Sequence, residues 1–481
     1  MESGSSLCLV FDQEFILMKT LLINPPSQKD EIWVREGRCQ QFDIWGAPFP
    51  PLTLAYLKTQ IRDISETLVL DPGPAKMNQE EVFEKIKDFS PDLMIMSVTT
   101  PTFENDCNWF AKKVKEILPQ IKIGAVGIHV MALPKESLKN AQSLDFVFIS
   151  EAEAVIKNIV QSLDELSDVE GISYREQENI IINNQVAFSE NIDDYGFPDW
   201  SDIDFKNYHL PIKDRPFSLI SFSRGCPYSC NFCAAQTYYG RKLRKRSVKS
   251  IINEINYNLE LGVKDFLFWT ELISADRYYL EEFLDALKSE GLDQKIDWVC
   301  NSRVDQLDLE LFKKMKEAGC WQIAFGLEFG TDKMLKIANK GGQATVERGG
   351  RAVVEADKAG LVVDGHFIMG YPEETLADME ETIKFACSLP LTFAHFYLAT
   401  PFPGSTLYNQ IKADFQSVDL WNKISQDQGE KEVQEKVNRA YKKFYLSMSR
   451  VWRIFRVAKG IREKINLISL GLVFVLDILK Q

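Results

Sequence analysis

Leu219-Ile-Ser-Phe222-Ser-Arg-Gly-Cys226-Pro-Tyr-Ser-Cys230-Asn-Phe-Cys233 is the stretch on which the reading of this chain turns. A short apolar run, 219–222, leads straight into a loop that gathers three cysteines in C-x3-C-x2-C spacing. The same short apolar run recurs downstream at 266–269, 298–300, 322–325, 365–369 and 394–398, with amphipathic stretches between. Val248, Ile251, Ile252, Ile255 and Leu259 keep helical spacing and Gly262 stops them, while Asp308 caps a helix that Gly319 ends. Six strand-helix units in succession predict a partial (β/α)6 barrel with its chemistry at the strand carboxyl ends.

Upstream, runs at 21–23, 68–70, 93–98, 121–126 and 146–149 alternate with helical patterns. That rhythm predicts an N-terminal doubly wound parallel sheet whose ligand lies beyond the carboxyl ends of its strands. Between the two units the rhythm breaks, with a hairpin-like stretch around Asn183 and Asn184 and turn residues Asp193, Asp194, Gly196, Pro198 and Asp199. The expected division is an extension at 1–18, the sheet domain at 19–165, a linker at 166–212, the barrel at 213–415 and a C-terminal helical segment at 416–481.

The chain has 481 residues, 45% of them apolar, enough for two or three domains. Its net charge of −13 argues against a nucleic-acid partner, because phosphate binding relies on clustered Lys and Arg. Residues 1–17 lack a basic start and are broken by Asp12 and Glu14, so neither a secretory signal nor a membrane span is expected there. Nine irregularly spaced cysteines suit a reducing compartment and metal ligation better than a disulfide framework, so the expected location is the cytoplasm.

A zinc site would more often pair two C-x2-4-C units, and a ferredoxin-like run would add a fourth nearby cysteine; neither pattern accompanies Cys226, Cys230 and Cys233. With its preceding strand, the triplet resembles the radical S-adenosylmethionine (SAM) superfamily. The resemblance implies a [4Fe-4S] cluster on these three cysteines, with one iron left open for SAM. It also implies reductive cleavage of SAM to a 5'-deoxyadenosyl radical and a small electron donor such as flavodoxin or ferredoxin. Phe232 matches an aromatic position near the adenine. Trp269-Thr-Glu271 matches in the acid alone, lacking the usual glycines, and Glu271 would meet the SAM amino group or remain a strand-end acid. Arg303 would pair with the SAM carboxylate, its bland alternative being a structural ion pair. Gly326 would admit the nucleoside, with Glu328 at the border of the site. Phe367-Ile-Met-Gly370-Tyr-Pro372 and Pro401-Phe-Pro403-Gly404-Ser405 match as well.

The first unit resembles the cobalamin-binding domain joined to one radical SAM subgroup. Asn24-Pro-Pro26, Pro50-Pro-Leu-Thr-Leu-Ala55, Ser97-Val-Thr99-Thr100-Pro101, Gly127-Ile-His129 and Ser150-Glu151-Ala-Glu153 carry the likeness. The cobalamin contacts it implies are Asn24, Ser97, Thr99, Thr100, Gly127, His129 and Glu151. Asp-x-His-x-x-Gly is missing, so the cobalt would lack a histidine ligand, and Val126-Gly127-Ile128 stands where the family has Gly-Gly-Pro. Trp33-Val-Arg-Glu-Gly-Arg38-Cys39, with 325–328 and 399–404, resembles the branch of anaerobic magnesium-protoporphyrin ester cyclase-like and hopanoid-tailoring enzymes. The implied outcome is cobalamin-associated methylation or ring formation on an unactivated carbon of a lipid-like or tetrapyrrole-like small molecule. A non-enzymatic cobalamin or iron-sulfur carrier or sensor is the rival.

Near the C-terminus Arg439, Lys442, Lys443, Arg450, Arg453, Arg456, Lys459, Arg462 and Lys464 face the single acid Glu463. Arg450, Arg453, Arg456 and Lys459 recur at threes beside Trp452, Ile454 and Phe455. Two readings stay open: a helix in a membrane interface at the inner face, followed by the apolar run 465–479, or a cap on the barrel's open edge with a solvated basic side.

Overall fold

The computed structural model describes residues 18–29, 32–36, 40–41, 48–210, 212–342, 344–414, 428–461, 463–469 and 471. Arg38, Cys39, Arg462 and residues 472–479 of the apolar tail lie outside them.

The strands in chain order are β1 (Met18–Ile23), the two-residue pair β2 (Trp33–Val34) and β3 (Gln40–Gln41), β4 (Ser65–Leu70), β5 (Leu93–Ser97), β6 (Lys122–Val126) and β7 (Phe146–Phe148). A hairpin, β8 (Ile172–Glu176) and β9 (Asn179–Ile182), follows. The first sheet runs β4-β1-β5-β6-β7-β8-β9, parallel through β7. Every residue of β5 is buried, as expected of a central strand covered on both faces. Alternate side chains feed two cores. Met94 and Met96 join Val82, Ile86 and Val114 on one face, and Ile95 joins Leu54, Leu57 and Ile156 on the other. The chain reverses direction across the sheet between β1 and β5, so Asn24 and Val98 flank the switch-point crevice.

The hairpin differs from the sequence reading. Its turn is Gln177-Glu178, with Gln177 at φ +53°, rather than Asn183-Asn184. Asn183 follows β9 and its amide donates to the carbonyls of Leu166, Ser167 and Val169, a polar clasp that imitates a turn signal in sequence. The hairpin adds two antiparallel strands to the sheet. The remainder of 166–212 is a packed strap: Ile192, Tyr195, Trp200, Phe205, Tyr208 and Ile212 are buried in the barrel's core. Lys58 reaches Asp202 at 2.5 Å and Thr59 donates to the Phe197 carbonyl at 2.6 Å, tying the strap to the helix Leu52–Ile61.

The second sheet consists of β10 (Phe217–Ser221), β13 (Asp265–Trp269), β14 (Asp297–Ser302), β15 (Cys320–Glu328), β16 (Val362–Met369) and β17 (Phe393–Leu398), all parallel and in sequence order. Between β10 and β13 lie the two-residue strands β11 (Ser223–Arg224) and β12 (Arg244–Lys245), an antiparallel pair. Val363, Phe367 and Met369 of β16 pack outward with the helices, leaving Asp364, His366 and Ile368 on the inner face. The Asp308 carboxylate accepts from the Leu311 amide at 2.9 Å and Gly319 sits at φ +93°, as the cap and stop signals required.

The helix Gln428–Tyr445 covers the open edge of the barrel. The Tyr445 hydroxyl accepts from the Ala394 amide and donates to its carbonyl, both at 3.0 Å, and the Tyr441 hydroxyl accepts from the Phe396 amide at 3.1 Å. Two phenols thereby satisfy backbone that β17 would otherwise leave unpaired. The basic stripe expected on the following helix, Met448–Val457, is broken. Arg450 is buried against the Phe444 ring at 4.0 Å and donates to the Leu389 carbonyl, and Arg453 pairs with Asp357. On this helix and the residues after it, Met448, Val451, Trp452, Ile461, Ile465 and Ile468 face solvent together with Arg456 and Lys459. Among the described residues no helix is long and apolar enough to cross a membrane.

Candidate functional site

The cysteine loop is built from its ends inward. β11 and β12 zip together and close residues 225–243 into a flap over the carboxyl end of β10. Gly225 turns the chain at φ +91°, and a Cβ there would stand 2.1 Å from the Lys242 carbonyl oxygen, so the position demands glycine. Its amide donates to Glu271 at 3.1 Å, and the Cys226 amide donates to the Gly240 carbonyl at 3.1 Å. All three thiols are partly buried. The Ala235 amide is aimed at Cys233 Sγ at 3.5 Å and the Arg303 guanidinium at Cys230 Sγ at 3.6 Å. Burial pushes the Cys226 thiol up to about 11, so a metal bound there displaces a proton. Three thiols on one loop, two of them supported by N–H donors, are a donor set that fits a [4Fe-4S] cluster with one open iron.

Across the barrel mouth Arg303 does not present an open fork. Its Nε meets Asp305 at 2.7 Å, its other nitrogens donate to the carbonyls of Lys340 at 2.7 Å and Gly341 at 2.8 Å, and its plane lies 3.8 Å from the Tyr228 ring centroid. The Arg303–Asp305 pair braces the cysteine loop through Tyr228 and Cys230. Glu328, at φ +67° beside a register shift in β15, forms a buried pair with Lys340 at 2.6 Å. A Cβ on Gly326 would come within 2.5 Å of the Glu328 carboxylate, so this glycine makes room for that pair. Phe232 is buried with Phe329, Met334, Ile368, Tyr371 and Leu407, an apolar plug beside Cys230 and Cys233. Glu271 holds the Gly225 amide, and desolvation pushes its carboxyl up to about 7. Lys340, Tyr228 and Asp305 carried no signal in the sequence, because only the fold brings their loops together.

At the carboxyl edge of the N-terminal sheet, Asn24, Thr99, Thr100, Gly127 and His129 converge. Buried Asn24 Oδ1 has no hydrogen-bond partner. A Cβ on Gly127 would meet the Val98 carbonyl oxygen at 2.1 Å, so two strand-end loops touch through backbone. Thr99 Oγ1 lies 2.8 Å from Thr102 Oγ1, and His129 Nδ1 lies 3.2 Å from Thr100 Oγ1 with Phe103 against its ring. Burial lowers His129 to about 4, so the ring is neutral near pH 7. Val126 turns into the core and leaves this face clear. The orphaned Asn24 oxygen, the hydroxyls and the close-approach glycine fit cobalamin.

Ser97 and Glu151, expected at the same edge, each meet arginine. Arg35 donates to the Ser97 carbonyl at 2.8 Å and pairs with buried Asp106. Glu151 accepts from Arg224 at 3.1 Å and from Arg244 at 2.7 Å, Arg224 reaches Glu153 at 2.6 Å, and Tyr195 donates to Glu151 at 3.1 Å. Burial opposes the charge on Glu151, yet the two arginines hold its carboxyl below the usual range. Because Arg224 and Arg244 are the ends of the cysteine flap, this cluster fastens the sheet's carboxyl edge to the barrel mouth. The short helix Ile128–Ala132 accordingly packs on Ala235–Tyr239, which follows the last cysteine.

The radical SAM superfamily model matches residues 220–386, and the B12 binding domain model matches 45–160. The chain carries a radical SAM domain. The chain places a B12-binding domain ahead of it, the pair of domain types that SAM and cobalamin chemistry would need. It is 29% identical over 444 residues to an uncharacterised methyltransferase of Pyrococcus horikoshii, covering 89% of this chain and 93% of that one. It is 27% identical over 376 residues to the anaerobic magnesium-protoporphyrin IX monomethyl ester cyclase of Cereibacter sphaeroides, covering 76% of this chain and 60% of the cyclase. Its fold is similar to a radical SAM methyltransferase of Kitasatospora setae solved with cobalamin and a [4Fe-4S] cluster, at TM-score 0.68 and 15% identity over 83% of this chain and 78% of that one.

Proposed function

We propose that this radical SAM enzyme methylates an unactivated carbon of a lipid-like or tetrapyrrole-like small molecule, with ring formation as the second outcome. The observation that carries the reading is the Glu151, Glu153, Arg224 and Arg244 clasp, which sets the edge suited to cobalamin against the cysteine loop. When bound, the cluster supplies the electron that splits SAM, and cobalamin carries a methyl group. Cys226, Cys230 and Cys233 hold the cluster. Gly326 and Glu328 border SAM with Lys340 as counter-charge, while Arg303 and Glu271 position the cysteine loop. The plug around Phe232 excludes water from one side of the cluster. Asn24, Thr99, Thr100, Gly127 and His129 line the cobalamin face, and Ser97 and Glu151 act through the arginines they hold.

The electron comes from a flavodoxin- or ferredoxin-type donor. Exposed Trp452, Ile461, Ile465 and Ile468, near Arg456, Lys459 and Lys464, support a shallow peripheral contact with the inner face of an anionic membrane. The test is anaerobic turnover of the reconstituted protein with methyl-labelled SAM, cobalamin and a reductant, with extract of a deletion strain as substrate source. Methionine and 5'-deoxyadenosine from cleaved SAM, S-adenosylhomocysteine from the SAM that gives up its methyl group, and a labelled product are expected. An unlabelled cyclised product reassigns the outcome to ring formation, and absence of SAM cleavage overturns the mechanism.

A further inference from the structure

Two of the chain's four histidines face each other on the inner wall of the barrel. His366 of β16 and His395 of β17 are direct partners in the sheet register, and their rings stack with centroids 5.0 Å apart. Both Nε2 atoms converge on Asp364, at 3.7 Å from His366 and 3.3 Å from His395, and one ligand atom from each residue lies within 4.8 Å of the others. Asp364 is buried, and its second oxygen, Oδ1, has no hydrogen-bond partner. On the neighbouring strand its register partner is Ala324 and that of His366 is Gly326, so small residues leave the lumen open beside the cluster.

The spacing has room for a cation. N–H···O hydrogen bonds close to about 2.7–3.2 Å. A tetrahedral cation with bonds of about 2.0–2.1 Å to nitrogen and oxygen holds its donors about 3.4 Å apart. The observed 3.3 and 3.7 Å bracket that spacing, so the three side chains can share a cation. The second shell agrees. His366 Nδ1 lies 3.1 Å from the Tyr397 hydroxyl, which engages one ring nitrogen and turns the other towards Asp364. The donor set is two imidazoles and a carboxylate without sulfur, and it sits on β16 and β17 whereas the cysteine loop follows β10.

We propose that Asp364, His366 and His395 bind a divalent transition-metal cation of the zinc class, with a fourth position open to the barrel lumen for an oxygen donor. This centre is separate from the iron-sulfur cluster and draws on none of its ligands. Three protein ligands and one exchangeable position form the pattern of a reactive rather than a closed structural site.

The test uses the full chain loaded with cluster and cobalamin, equilibrated with zinc sulfate and desalted, with zinc, iron and cobalt counted by mass spectrometry. One zinc per chain is expected, and zinc-edge X-ray absorption should report nitrogen and oxygen donors only. His366→Gln and His395→Gln should each weaken zinc binding at least tenfold with iron and cobalt unchanged, and Tyr397→Phe should weaken it about tenfold. A wild-type protein that retains no zinc, sulfur at the zinc edge, or undiminished zinc in the His366→Gln, His395→Gln double variant would overturn the site.

Discussion

Cys107 and Cys230 are the same residue type in opposite surroundings. Cys107 is sealed in the core of the N-terminal sheet and burial pushes its thiol well up, whereas Cys230 lies partly open beside Arg303. Cys226→Ala, Cys230→Ala or Cys233→Ala should each remove the visible cluster absorbance and its iron, while Cys107→Ala keeps both. Full iron occupancy in Cys230→Ala would defeat the assignment. His129 gives a pH dependence of definite sign. Its folded-state value of about 4 lies below the ordinary 6.5, so the unfolded chain binds the extra proton between them. Stability from the neutral ring is complete above pH 6.5 and is lost as pH falls towards 4, by about 3 kcal/mol. Urea titrations of wild type and His129→Gln should diverge less at pH 4.5 than at pH 7; an unchanged gap would mean the ring is not held neutral.

The helix Gln428–Tyr445 belongs to the barrel, because Tyr441 and Tyr445 spend their hydroxyls on the backbone of β17. Tyr441→Phe and Tyr445→Phe should each cost about 1 kcal/mol, read as a lower Tm with cluster iron unchanged. The following segment has two faces. Ile454, Ala458 and Leu467 are buried in the barrel core, so deleting residues 450–481 would test folding rather than membrane contact. Substitution on the outer face separates the two. Trp452→Ser with Ile461→Ser should leave the unfolding free energy within about 1 kcal/mol of wild type and abolish sedimentation with anionic liposomes. Binding by the unaltered protein should weaken as salt rises. If the unaltered protein stays in the supernatant at low salt, the outer face has another use.

At the scale of the molecule, the sheet and the barrel are joined through charge sealed from water. Glu151→Ala leaves Arg224 and Arg244 buried without that counter-charge and should cost about 3–5 kcal/mol, measured by urea unfolding. A loss under 1 kcal/mol would mean that the clasp opens to water. The α/β class, both parallel sheets, the six barrel strands and the cysteine triplet were legible in the sequence, because strand burial follows from local apolar runs and three thiols within eight residues need no distant partner. His129, Thr100 and Gly127 could be placed at one edge of a sheet for the same reason, since each lies within three residues of a strand's end. Tertiary structure alone decided the rest. Arg303 reads as an open fork until Asp305, Lys340 and Gly341 surround it, and Glu151 reads as a ligand contact until two arginines of the cysteine flap reach it. Asp364, His366 and His395 look unremarkable in two separate strands; only the register of β16 against β17 brings their nitrogens to one carboxylate. Patterns of burial are written over a few neighbouring residues, whereas the partner of a charge is chosen by whichever distant segment the packed core delivers to it.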